Sequence, residues 1–168
     1  RWIYPFLEHE IPVINCGTDW LGEKGVHSVF NHHANVELVA IDHFVELGMG
    51  NVCMALHDFS QHPGMERRVR SFEDYARSLH LKPSTLFIEG ELPDYGLLRL
   101  LNSEGETQLR DRLRQLPKPC GIFCENDHQA TLICQVATHE GIQIPRDIAV
   151  LGYGDQTIGR FAELPVST

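Results

Sequence analysis

The strongest constraint on this chain is an alternation: short apolar runs, each followed by a segment whose apolar residues recur every three or four positions. The runs are "EIPVINCG" (10–17), "NVCMALH" (51–57), "STLFIEG" (84–90), "CGIFCEN" (120–126) and "DIAVLGYG" (147–154). A strand apolar on both faces must be covered on both faces, which is the situation of a parallel sheet sandwiched between helices. The intervening segments supply those helices. Residues 33–48 place Val36, Ala40, Phe44 and Leu47 on one stripe, with Gly48 as C-terminal cap. Residues 65–80 do the same with Val69, Phe72, Ala76 and Leu79, residues 105–116 form a helix stopped by Pro117, and residues 128–141 form another. The fold class is α/β, doubly wound. Residues 91–106 are the longest stretch without a clear pattern.

The strand ends point to a function. His57-Asp58, Glu89-Gly90-Glu91, Glu125-Asn126-Asp127 and Gly154-Asp155 each terminate an apolar run with hydrogen-bonding groups. In an open parallel sheet, ligands sit in the crevice at the carboxyl ends of the strands. Asp127 is also well placed to cap the helix that follows it.

Charge and cysteine content narrow the classes. A formal charge of −9 repels phosphate backbones and acidic membranes, so these residues are not expected to bind nucleic acid themselves. The cysteines at 16, 53, 120, 124 and 134 form an odd set lying mostly in strands and an apolar helix, which suits reduced, buried thiols and a cytoplasmic location. Cys120 and Cys124 have strand spacing, but no second Cys/His pair completes a zinc site, and no metal or cofactor is expected. The doublet His32-His33 reads as a loop before a helix. "GYGDQTIG" has Thr157 at the third glycine position of a dinucleotide fingerprint and Pro165 soon after, so it is not read as one. No apolar run reaches the roughly 18 residues of a membrane span. The opening "RWIYPFLEHEIPV" and the closing "FAELPVST" look like cut ends, and the chain is expected to be part of a longer protein.

Order and spacing of several motifs resemble the effector-binding domain of LacI/GalR-family transcription regulators. They are "IFCENDHQA", "HEGIQIPRDIAVLGYGD" and "LPVST", with "IPVINCG", "AIDHFVELGMGNVCMAL" and "RRVRSF" upstream. "LRDRLRQLPKPCGIFCEND" and "LICQVATHEGIQIP" are similar to the xylose-operon regulators, which carry an AraC-type DNA-binding domain C-terminal to the sensor. In LacI-type proteins the DNA-binding unit precedes the sensor, and neither unit is read in this segment. The resemblance implies a periplasmic-binding-protein-like fold of two Rossmann-like subdomains, one only partly present here. Residues 1–50 would be the partial N-terminal subdomain, 51–156 the C-terminal subdomain and 157–168 the crossover back.

The resemblance also implies site residues. Arg68 stands four places before Phe72, where the family has an effector-binding arginine, and Asn126 matches its strand-end asparagine. A guanidinium offers a fork of donors and an amide both donates and accepts, as vicinal hydroxyls require. Gly154 occupies the place of an effector-binding aspartate, with Asp155 next to it; Gly17 replaces another aspartate, His32-His33 an Asp-Asn pair, and Ser71 a glycine. The expected ligand contacts are Arg68, Asn126, Asp127, Asp155 and Asp58. The implied function is sensing of a small sugar-like effector by lobe closure, which sets the spacing of DNA-binding heads in a homodimer on operator DNA. A periplasmic-type sugar receptor of a transporter is the alternative. The apolar helix at 129–140 fits either dimerisation or deep burial within one chain.

Overall fold

Val52, Met54 and Leu56 alternate with Cys53 and Ala55 along one strand, and all five are buried, so this strand has a core on each of its faces. It is the centre of the computed structural model, which describes residues 3–16, 26–29, 33–57, 63–88, 103–163 and 166–168. The chain divides into two units, Arg1–His33 and Ala34–Thr168.

The first unit holds a short helix α1 (Tyr4–Glu8) and a parallel pair of strands, β1 (Val13–Cys16) and β2 (Val26–Val29), in register from Val13 opposite Val26 to Cys16 opposite Val29. Residues 17–25, between these strands, lie outside the described residues.

The second unit is built on α2 (His33–Glu46), β3 (Asn51–His57), α3 (Pro63–Ser78), β4 (Lys82–Ile88), α4 (Ser103–Gln115), β5 (Cys120–Cys124), α5 (Asp127–His139), β6 (Ile148–Leu151) and α6 (Thr157–Phe161). Its sheet has the order β4-β3-β5-β6, every pair parallel. One face packs Ala40, Ile41 and Phe44 of α2 and Phe72 and Ala76 of α3 against Val52, Met54, Leu56 and Phe123. The other packs Leu109 and Leu113 of α4 and Ala130, Ile133, Val136 and Ala137 of α5 against Cys53, Ala55, Leu86, Ile88, Cys120, Ile122, Cys124 and Ile148. The expected doubly wound α/β arrangement is thus present. Gly121 makes the α2 packing possible: a Cβ there would lie 2.2 Å from the Phe44 ring.

Several details differ from the sequence expectation. Leu47 and Leu79, assigned to buried stripes, are exposed, while Ile41 is fully buried; the α2 stripe keeps Val36, Ala40 and Phe44 against the core and takes Ile41 in place of Leu47. That stripe joins the core of the four-stranded sheet, and the second compact unit runs from Ala34 to Thr168. After residue 156 the chain forms α6, and Ser167 then pairs beside β6, through a bridge with Leu151 and a bond from the Gly152 amide to the Ser167 carbonyl at 2.8 Å. The apolar helix α5 finds its cover inside the chain, so its composition needs no partner subunit.

Candidate functional site

Helices that follow parallel strands run back along the sheet, so their N-termini gather at its carboxyl edge. There, the N-terminal halves of α2 and α3 and the segment entering α5 bring together a cluster of charged and amide side chains. Arg68 of α3 donates through Nε to Glu37 Oε1 of α2 at 2.6 Å and through Nη1 to Glu125 Oε1, just past β5, at 3.3 Å. Side-chain exposure is 16% for Arg68, 13% for Glu125 and 0% for Glu37. One guanidinium therefore joins three elements that are 31 and 57 residues apart in sequence.

Glu125 is held in turn by Gln129. The Gln129 Oε1 accepts from the Glu125 amide at 3.0 Å, and its Nε2 donates to Glu125 Oε2 at 3.4 Å. Asn126 is extended and caps α5, its Oδ1 accepting from the Gln129 amide at 3.0 Å. That occupies the amide oxygen of Asn126 and leaves its Nδ2 as a donor. Asn126, rather than Asp127, is the capping residue.

Asp127 is fully buried. Its Oδ2 accepts from the Gln156 amide at the start of α6, while Oδ1 is buried with no hydrogen-bond partner. A Cβ on Gly152 would lie 2.1 Å from that Oδ1, and one on Gly159 3.2 Å from the Asp127 Cβ. Asp127 thus docks α6 and the end of β6 onto α5 through two close-approach glycines. His128 adds a bond between its Nδ1 and Gln156 Oε1 at 3.0 Å.

Asp155 lies beside Gln156 but is exposed and engaged with Arg160, which donates through Nε at 2.8 Å and through Nη2 to the second oxygen. The Arg160 guanidinium holds the Asp155 carboxyl below the usual carboxylate range. Its backbone is left-handed, with φ +50°, and its amide donates to Thr168 Oγ1 at 3.1 Å. Of the expected contacts, Arg68 and Asn126 fall in one cluster bridged by Glu125. Asp127 is one residue further but points under Gly152, and Asp155 is turned to Arg160. Asp58, Glu89 and Glu91 lie outside the described residues.

Glu37 and Gln129 were not among the expected residues. Glu37 was detectable: it lies four residues before Ile41 and three before Ala40, on the buried stripe of α2, where a carboxylate needs a cationic partner. Gln129 carried no signal, because its role depends on the α5 cap geometry. Among the described residues no cluster of His, Cys, Asp and Glu could hold a metal ion, and no helix is long and apolar enough to cross a membrane.

Residues 41–168 match the family model of the periplasmic binding protein-like domain. Over 173 residues the chain is 21% identical to the Bacillus subtilis protein named "Probable HTH-type transcriptional repressor ExuR", covering 99% of this chain and 47% of that one. It is 24% identical over 153 residues to the transcriptional repressor PurR of Haemophilus influenzae, covering 89% and 42%. The chain therefore spans less than half the length of these curated relatives. Its fold is similar to that of a LacI family transcriptional regulator from Bifidobacterium animalis, with a TM-score of 0.73, 20% identity, and coverage of 98% of this chain and 57% of that one. It is also similar to a LacI family regulator from Lactobacillus casei with bound sucrose, with a TM-score of 0.69, 19% identity, and coverage of 94% and 56%.

Proposed function

The chain belongs to the periplasmic binding protein-like domains, in the effector-binding form of LacI/GalR regulators, and on that premise we propose that it senses a small sugar-like effector for a bacterial transcription regulator. The observation that carries this reading is the Arg68–Glu37–Glu125 cluster beside Asn126 at the carboxyl edge of the sheet, where this architecture places ligands. Arg68 uses two of its five N–H donors on carboxylates, which leaves donors for sugar hydroxyls. The Asn126 Nδ2 is a further donor, and Asp155 would join the set only on release from Arg160. Asp127 acts by holding α6 in place.

Effector binding would shift the equilibrium between lobe arrangements by its differential affinity for them. The readout would be operator binding through a DNA-binding module outside this segment, in a cytoplasmic homodimer. The relatives are transcription regulators rather than enzymes, which favours this reading over catalysis and over a transporter's receptor. The bound sucrose of the Lactobacillus casei regulator supports a carbohydrate as the ligand class. The test is calorimetry of the full-length protein with a panel of pentoses and hexoses. Binding heat from at least one sugar is expected, lost in Arg68→Ala and reduced in Asn126→Ala. Undiminished heat in folded Arg68→Ala would overturn the site.

A further inference from the structure

Resting on that sensor reading, we infer that Asp127 is the residue through which ligand binding is passed on: it links Asn126, a proposed sugar contact, to α6 and to Val166 and Ser167 beyond it. Asp127 opens α5 and directly follows Asn126, whose Oδ1 caps that helix. The helix dipole favours a carboxylate in a first turn, but burying one fully is costly unless it is bonded there. Here three backbone segments meet at the one side chain. Oδ2 accepts from the amide of Gln156, the N-cap residue of α6. Gly152, just past β6, lies so close that a Cβ would fall 2.1 Å from Oδ1. Gly159, inside α6, would place a Cβ 3.2 Å from the Asp127 Cβ.

The same two glycines hold the last described residues. The Gly152 amide donates to the Ser167 carbonyl at 2.8 Å, and the Val166 amide donates to the Gly159 carbonyl at 3.1 Å. A second tie runs beside the first, between His128 Nδ1 and Gln156 Oε1 at 3.0 Å. Bonds and close contacts therefore run without a break from Asn126 through Asp127 to Gly152 and Gly159, and on to Val166 and Ser167. Helix ends open more readily than helix centres. A sugar hydroxyl on the Asn126 Nδ2 would hold that side chain, and with it the α5 cap, in one arrangement. Asp127 would then be held under Gly152, and α6 with it. The coupling is a loss of motion, which links two sites without any displacement. Asp127 is thus a positioning residue that acts through its neighbour.

The experiment is amide hydrogen exchange on the full-length protein, free and saturated with the sugar that calorimetry selects from D-xylose, D-ribose, D-glucose and D-galactose. Exchange at the Gln156 and Val166 amides is expected to slow about fivefold or more with sugar bound, because local opening there becomes rarer. A purely structural Asp127 predicts no sugar dependence at these amides, and that result overturns the link while leaving sensing intact. Binding of none of the four sugars removes the sensor reading itself, and the link with it. Asp127→Ala is the second arm. Its sugar affinity should change less than threefold, while the sugar-dependent slowing at Gln156 and Val166 falls below twofold. Asp127→Asn, which keeps an acceptor for the Gln156 amide, should restore the slowing. Loss of sugar binding in folded Asp127→Ala makes Asp127 a binding residue, and slowing that persists in it routes the signal elsewhere; either outcome overturns the proposal. The wild-type exchange decides alone if Asp127→Ala does not fold.

Discussion

Arg68 carries a structural duty as well as its proposed binding role, and the two can be separated by measurement. Removing its side chain leaves Glu37 buried without a counter-charge among the described residues. Breaking one partner out of a buried pair costs about 3 kcal/mol or more. Arg68→Ala is thus expected to lower the denaturant midpoint markedly. The paired change Arg68→Met with Glu37→Met should recover most of that loss, because apolar replacement of a whole buried pair is often near neutral. Sugar binding should remain lost in the pair. The thiols make a second residue-scale prediction. Cys16 is exposed, whereas Cys53, Cys120, Cys124 and Cys134 are buried. Burial pushes the Cys53 thiol up to about 11 and the Cys120 thiol up to about 12. Alkylation at pH 8 followed by peptide mapping should label Cys16 and spare the other four until denaturant is added. The sign for stability follows from the direction of the shifts. Both thiols hold their protons more tightly when folded than at their ordinary value of 9.0, so their contribution is complete below pH 9 and declines as pH rises from there toward 12. Alkaline unfolding monitored from pH 8 to 11 checks this.

At the scale of elements, the packing of α2 on β5 is controlled by one glycine. Gly121→Ala would drive a Cβ into the Phe44 ring at 2.2 Å, across the contact between α2 and β5. Overpacking of this kind costs typically 1–3 kcal/mol. Adding Phe44→Leu should return part of that stability, since the smaller side chain vacates the space; thermal melts of the single and double variants give the comparison. The same contact explains what the sequence could and could not convey. The strands were legible because β3 and β5 are apolar without interruption, and a strand buried on both faces has no other composition available. Helix phase was legible only in part, since Ala40 and Phe44 are buried as expected and Leu47 is not. The stripe through Val36, Ala40, Phe44 and Leu47 fits a 3.6-residue repeat as well as the observed one through Ala40, Ile41 and Phe44. The choice between them is made by the open groove above Gly121, a tertiary feature. Short elements were missed for a related reason: α6 has five residues, too few for a periodicity, and is held by Asp127 and Gln156 rather than by its own pattern. In the site, Arg68 and Asn126 were reached through motif spacing, whereas the partnership of Arg68 with Glu37 arises from residues 31 apart that only the fold brings together.

For the whole molecule, net charge bears on where the DNA affinity of the proposed regulator would reside. A chain of net charge −9 is poorly suited to gain affinity by releasing counterions from a phosphate backbone, because that gain requires clustered Lys and Arg to neutralise phosphates. Several of its described arginines are also paired internally: Arg68 to Glu37 and Glu125, Arg77 to Glu73 and Asp74, Arg110 to Glu106 and Glu140, Arg114 to Glu140 and Arg160 to Asp155. If the proposed regulator is right, DNA affinity resides in a module that these 168 residues do not contribute, and sugar affinity resides in these residues together with the remainder of the sensor. The expected outcome is a clean dissociation in gel retardation. The isolated 168-residue segment should leave DNA unshifted at any salt concentration, and the full-length protein should shift its operator with an affinity that falls steeply as salt rises. Adding the sugar identified by calorimetry should change the full-length affinity by a salt-independent factor, since on the proposed mechanism the effector would act on the arrangement of the DNA-binding heads and not on the phosphate contacts themselves. A sugar effect that vanished in high salt would instead place the ligand at the DNA interface.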